Sequence, residues 1–176
     1  WTPTSGFPLL TELNGKTLGI LGLGRIGKEI AVRAQAMKMR VVYHGRRRQT
    51  DEPFIFYDSL LDMARDSDWL VLIAPGGKGT EKIVSRQVLE ALGPEGFLVN
   101  VARGTLVDEA AMLELLQSKQ LGGAALDVFD KEPAMDPGFW ALDNVVLSPH
   151  QGSATHQTRN KMGALVVANL DAHFAG

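Results

Sequence analysis

Residues 17–30, TLGILGLGRIGKEI, constrain the fold more than any other stretch of this chain. An apolar run of strand length, Thr17 to Leu21, is followed by glycines at 22, 24 and 27 and then by the opening of a helix. Each glycine has a separate physical task in a turn of this spacing. Gly22 makes the tight turn, Gly24 lets backbone approach a pyrophosphate, and Gly27 lets the helix lie close to the sheet. The amides of Arg25 and Ile26 at the helix start then face the phosphates, with the positive end of the helix dipole behind them. Strand, glycine turn and helix in this order point to dinucleotide binding rather than to a structural turn.

The rest of the chain supplies the setting such a turn requires. Ile26, Ile30, Ala34 and Met37 recur at helical spacing, which predicts a helix over 25–38. A strand is expected over 40–44, a short helix over 59–65 with Asp58 or Ser59 as its cap, and a buried strand at WLVLIA, 69–74. A glycine-rich loop (75–80), a helix (85–92) and a strand (96–102) follow. The segment 108–119 reads as an amphipathic helix capped by Asp108, with Leu113, Leu116 and Leu121 on the core side. Strands at 123–128 and 145–148 flank a long connection carrying Pro133 and Pro137, of the length often given to functional loops. A final helix over 155–174 has Met162, Leu165, Val166 and Leu170 on its expected buried side. Strand and helix alternate about six times, which predicts an α/β fold, a doubly wound parallel sheet of the Rossmann-like dinucleotide-binding kind, with ligands at the carboxyl ends of the strands.

At 176 residues one domain is expected, 1–16 being a lead-in broken by Pro3, Gly6 and Pro8. A net charge of −2 argues against nucleic-acid binding by bulk electrostatics. The absence of cysteine excludes disulfides and thiolate metal sites and fits a reducing, cytoplasmic setting. No apolar run approaches the ~20 residues that span a bilayer.

The end of the second strand, VVYHGRRR, bears on which dinucleotide is bound. A carboxylate at this position would accept the ribose hydroxyls of NAD, but Gly45 and Arg46 stand there instead. Arginines bind a 2′-phosphate through charge-assisted bonds where a carboxylate would repel it. NADP(H) is therefore favoured over NAD(H), with Arg46 and Arg47 as the contacts and Arg48 less committed.

Three later segments follow the glycine motif in order: VNVARGTLVDEAA (99–111), ALDVFDKEP (125–133) and LSPHQGSAT (147–155). Together the four motifs resemble the D-2-hydroxyacid dehydrogenase family, specifically its glyoxylate/hydroxypyruvate reductase branch, over nearly the whole chain. The resemblance implies a catalytic set of Arg103, Glu132 and His150. It also implies that Ala74 and Pro75 flank the adenine side, with Thr80 near the same region or capping a helix. Val101, Ala102 and the Asp127 carboxylate would meet the nicotinamide carboxamide, and Gly152 would let backbone come close to that ring.

The chemistry supports that set independently. A 2-oxo acid must be held by its carboxylate, accept a hydride at C2 and receive a proton on its carbonyl oxygen. Arg103 can grip the carboxylate with its forked donors, and a histidine, which ordinarily titrates near neutral pH, can deliver the proton. Glu132 would hold the other ring nitrogen of His150 and favour the imidazolium. His44 is expected at the strand end or lining the adenine pocket, His156 at the start of the last helix and His173 on the surface. Asp127 and Glu132 do not form a metal site, since no histidine or further acid joins them at ligand spacing.

The family carries a second, smaller substrate domain with pieces from both ends of the chain, and those pieces are not evident here. The expectation is thus a cofactor domain whose last helix returns toward a substrate domain, from an NADPH-preferring reductase of hydroxypyruvate and glyoxylate that forms a homodimer. The competing readings are an NAD-dependent dehydrogenase of another 2-hydroxy acid, and a non-catalytic dinucleotide-sensing module like the corepressors that resemble this family.

Overall fold

The computed structural model describes residues 11–175; residues 1–10 of the lead-in and Gly176 lie outside it. Seven strands run in parallel: β1 (Thr17–Leu21), β2 (Arg40–His44), β3 (Ile55–Phe56), β4 (Trp69–Leu72), β5 (Phe97–Asn100), β6 (Gly123–Leu126) and β7 (Val145–Leu147). Their order across the sheet is β3-β2-β1-β4-β5-β6-β7. The chain therefore builds outward from β1 in one direction, then returns and builds outward in the other. The reversal lies between β1 and β4, so a crevice opens at their carboxyl ends, where Gly22 and Ala74 stand.

Four helices cover the faces, α1 (Arg25–Ala36), α2 (Leu60–Arg65), α3 (Arg86–Leu92) and α4 (Glu109–Gln117), and a fifth, α5 (His156–Phe174), follows β7. The period-two alternation of the strands decides which helix each residue meets. Leu70 and Leu72 of β4 point into a core shared with α2, α3 and α4, whereas Val71 points to the opposite face with Ala31 and Ala34 of α1. At the amino end of the sheet, Asp68 accepts hydrogen bonds from the Thr17 amide (2.8 Å) and Lys16 Nζ (2.9 Å), tying the start of β1 to the lead into β4. Burial pushes the Asp68 carboxyl up, but these donors outweigh it and hold the group below its ordinary range.

The six expected strands are present, and the structure adds β3, whose two residues are too few to show a period. Ser59 caps α2 through the Asp62 amide, as its residue type suggests. Asp108 occupies the N-cap position of α4 but does not cap it; its carboxylate pairs instead with Lys82 Nζ at 3.4 Å. The buried face of α1 is Gly27, Ala31 and Ala34, while Ile26 and Met37 are exposed. Only small residues fit where this helix crosses the sheet closely.

The last helix corrects the sequence reading. Met162, Leu165, Val166 and Leu170 are exposed, and α5 has no buried residue. Its apolar residues are there, but among the described residues no element lies against them.

Candidate functional site

The glycine turn has the three-part geometry its spacing predicts. Gly22 has φ +101°, and a Cβ on it would lie 2.9 Å from the Ala74 backbone nitrogen on the neighbouring strand end. Only glycine tolerates both conditions. A Cβ on Gly27 would lie 2.4 Å from the Gly22 carbonyl oxygen, so that residue lets α1 close onto the turn. Gly24 is different: a Cβ there would meet no protein atom within 4 Å. Nothing in the protein demands a glycine at 24, but a group approaching from solvent would.

Helix geometry leaves the first amides of α1 without intrahelical acceptors. Gly24, at its N-cap, supplies no side chain to take them, and no acid lies in the first turn. This end of the helix thus presents free N–H groups and a positive dipole toward the crevice, which suits an anion. The donors and the open space at Gly24 fit the pyrophosphate of a dinucleotide.

A cleft of about 1310 Å³ opens from this turn. Gly22, Gly24, Gly45, Arg46, Arg47, Ala74, Pro75 and Thr80 all line it, as do Arg48 and His44. The three arginines are exposed and make no ion pair with any described carboxylate. His44 is fixed by its Nδ1 contact to the Tyr57 carbonyl (2.8 Å) and lies parallel to the Phe56 ring. Thr80 caps no helix; its hydroxyl is within bonding distance of the carbonyls of Pro75 (3.1 Å) and Gly77 (3.0 Å) and braces the glycine-rich loop. Arg25 and Ile26 sit at the helix start with exposed side chains, so only their amides are aimed at the turn.

A second hollow, about 310 Å³, lies at the ends of β6 and β7 and is lined by Glu132, His150, Phe129, Met135 and Trp140 among others. Here His150 Nδ1 and Glu132 Oε2 are 2.7 Å apart. The Glu132 carboxyl is held below its ordinary range first by this bond, then by the Phe129 amide (2.9 Å) and the charges of His150 and Arg103. His150 has φ +49°, an unusual conformation for a non-glycine residue. It is held there from the next two residues: Asp127 accepts the Gln151 amide on Oδ1 (2.9 Å) and the Gly152 amide on Oδ2 (3.0 Å). Burial pushes the Asp127 carboxyl up, but these amides, the Ser148 hydroxyl and the nearby His150 together hold it low. The sequence assigned Asp127 a carboxamide partner; within the chain its partners are the amides that follow His150.

Arg103 lines neither hollow, but its charge acts on Glu132, and its Nη1 donates to the Ala102 carbonyl (2.6 Å). The turn that carries it is braced by Asn100, a buried residue that donates to the Arg103 carbonyl (2.9 Å) and accepts from the Ala102 amide (3.1 Å). Val101 is exposed beside it, and Ala102 is buried. Gly104 then lets the turn press against the Glu132 loop: a Cβ on it would lie 1.9 Å from the Phe129 carbonyl carbon. The Arg103 turn and the Glu132 loop are thereby in backbone contact, and the Glu132–His150 contact joins the end of β7 to them.

Sequence reasoning missed the braces: Asn100, and Gln49, whose side chain donates to the Leu23 carbonyl while its amide donates to the Tyr43 hydroxyl. A polar residue within an otherwise apolar strand, as in LVNVA, was the available signal for Asn100. Gln49 gave none, because its partner is a backbone carbonyl distant in sequence. Among the described residues no group of three or more His, Cys, Asp or Glu side chains is placed to hold a metal, and no helix is long and apolar enough to cross a membrane.

Comparison with known proteins agrees with this fold. The family described as D-isomer specific 2-hydroxyacid dehydrogenase, NAD binding domain, matches residues 1–152. The chain is 48% identical over 170 residues to glyoxylate/hydroxypyruvate reductase A of Arabidopsis thaliana, covering 97% of this chain and 54% of that protein. It is 45% identical to hydroxyphenylpyruvate reductase of Plectranthus scutellarioides, again over 97% and 54% of the two chains. Among solved structures, an NADPH-dependent glyoxylate/hydroxypyruvate reductase from Sinorhizobium meliloti, in complex with NADP and malonate, superposes with a TM-score of 0.92 at 46% identity. That match covers 96% of this chain and 53% of the other. The chain thus spans about half the length of the curated relatives it matches.

Proposed function

The chain belongs to the D-isomer specific 2-hydroxyacid dehydrogenase family as an NAD(P)-binding domain, and on that footing we propose that it is the cofactor domain of an NADPH-preferring reductase of small 2-oxo acids. Hydroxypyruvate and glyoxylate, reduced to D-glycerate and glycolate, are the substrates we assign. The observation that carries the reading is the His150–Glu132 pair, 2.7 Å apart at the carboxyl edge of the sheet that also bears the glycine turn.

The roles follow from what each group can do. The amides of Arg25 and Ile26, with Gly22, Gly24 and Gly27, would hold the pyrophosphate. Gly45, Arg46 and Arg47 would take the adenosine 2′-phosphate, Ala74, Pro75 and Thr80 would bound the adenine side, and Val101, Ala102, Asp127 and Gly152 would border the nicotinamide. When bound, the reduced nicotinamide would supply the hydride that C2 of the substrate receives. Arg103 grips the substrate carboxylate and polarises the adjacent carbonyl with its forked donors. His150 gives a proton to the carbonyl oxygen as that atom gains charge. Glu132 holds the Nδ1 side of the ring, which leaves Nε2 as the donor.

Substrate choice in this reading is set partly outside this domain. Helix α5 would return toward a substrate domain, and a homodimer through the cofactor domain completes the proposal. Titrating the chain with NADPH and with NADH tests the cofactor reading. Preference for NADPH that disappears in Arg46→Ala/Arg47→Ala is expected, whereas equal affinity for both nucleotides would refute the phosphate assignment.

A further inference from the structure

The arginine loop is stitched to the glycine turn at both of its ends. At its start, the Gly22 amide donates to the His44 carbonyl at 2.9 Å. At its end, Gln49 Nε2 donates to the carbonyl of Leu23, the next residue of the turn, at 2.6 Å. The Gln49 backbone is fixed as well: its amide donates to the Tyr43 hydroxyl at 2.7 Å, and Tyr43 is only 1% exposed. Just beyond, Lys28 Nζ of α1 pairs with Glu52 at 2.6 Å. Gly45, Arg46, Arg47 and Arg48 therefore form a short bridge between two anchors that both belong to the phosphate-binding turn.

We propose that Gln49 is a positioning residue for cofactor selectivity, setting the distance between the arginine charges and the pyrophosphate site by clamping the loop to the Leu23 carbonyl. The inference rests on the 2′-phosphate reading of the arginines. Its physical basis is preorganisation. An arginine side chain already loses rotamer freedom when it grips a phosphate; a loose backbone beneath it adds a further ordering cost, borne only by the ligand that carries the phosphate. Gln49 need not touch that phosphate to favour it. Removing the clamp should weaken NADPH and leave NADH nearly untouched.

The test is a titration of the 176-residue chain with NADPH and NADH in four forms: unaltered, Gln49→Ala, Arg46→Ala/Arg47→Ala, and all three changes together. Gln49→Ala should weaken NADPH about five- to tenfold, the worth of one such hydrogen bond, and NADH by less than about twofold. In the background lacking both arginines the Gln49 change should no longer alter the NADPH-to-NADH ratio, because nothing is left to position. Tyr43→Phe, which retains the Gln49 side chain and the buried ring, should shift the ratio in the same direction. Equal weakening of both nucleotides by Gln49→Ala, or an unchanged ratio, overturns the proposal while the arginine reading stands. Absence of NADPH preference in the unaltered chain overturns the arginine reading and the Gln49 role with it.

Discussion

Replacing Asp127 by asparagine isolates the device that holds the candidate catalytic histidine. The carboxylate accepts the amides of Gln151 and Gly152 on separate oxygens, at 2.9 and 3.0 Å, immediately after the left-handed turn at His150. A charge-assisted bond of this kind contributes about 1.5–3 kcal/mol. Asparagine keeps one acceptor oxygen but sets an NH2 group against the other amide, so one bond is lost and a donor is left facing a donor. The expected loss is about 2 kcal/mol near pH 7, which at a urea dependence of about 2 kcal/mol/M moves the unfolding midpoint by about 1 M. The pH dependence sharpens the test. Because the folded carboxyl is held below its ordinary range, its stabilisation is complete above the unfolded value of about 3.9 and is lost as pH falls through the lower, folded value. The gap between the parent and Asp127→Asn should therefore be full at neutral pH and close in acid below about pH 4. Urea titrations at several pH values check this. A gap under about 0.5 kcal/mol at neutral pH, or one that does not narrow in acid, would refute the clamp.

Other outcomes follow from the same geometry. Gly104→Ala places a carbon 1.9 Å from the Phe129 carbonyl carbon and 2.3 Å from the Asp130 nitrogen, so the Arg103 turn and the Glu132 loop must separate. A cost of about 3 kcal/mol should lower the melting temperature by about 6–12 °C, and an unchanged melt would show that the two loops are not in contact. Asp68→Asn should cost about 1–2 kcal/mol at neutral pH through the Thr17 and Lys16 bonds. Since the folded Asp68 carboxyl is also held low, that cost should fade in acid; denaturant melts at pH 7 and pH 3 read the difference. In a complete reductase carrying this domain, Glu132→Gln removes the carboxylate that pairs with His150 and should lower kcat with little change in cofactor affinity. An unchanged kcat would count against the pairing.

The difference between what was legible and what was not lies in the range of the interactions. The glycine spacing, the apolar runs of β1, β4 and β5 and the helical periods are properties of neighbouring residues, so the sequence by itself determined an alternating parallel fold with a phosphate-binding turn. Arg103, Glu132 and His150 were named from motifs alone, but nothing local says that a loop after β6 meets one after β7 at 2.7 Å. The steric fit at Gly104 and the bonds to Asp127 decide that, and both join positions more than twenty residues apart. Gln49 was invisible for the same reason, its partner being the Leu23 carbonyl, 26 residues away. Periodicity misled at α5 because a helical apolar stripe says that a face can be buried, not that this chain buries it. Only the tertiary structure decides which of the surfaces that sequence makes possible actually meet, because burial and hydrogen bonding depend on where a partner stands and not on the residue that offers the contact.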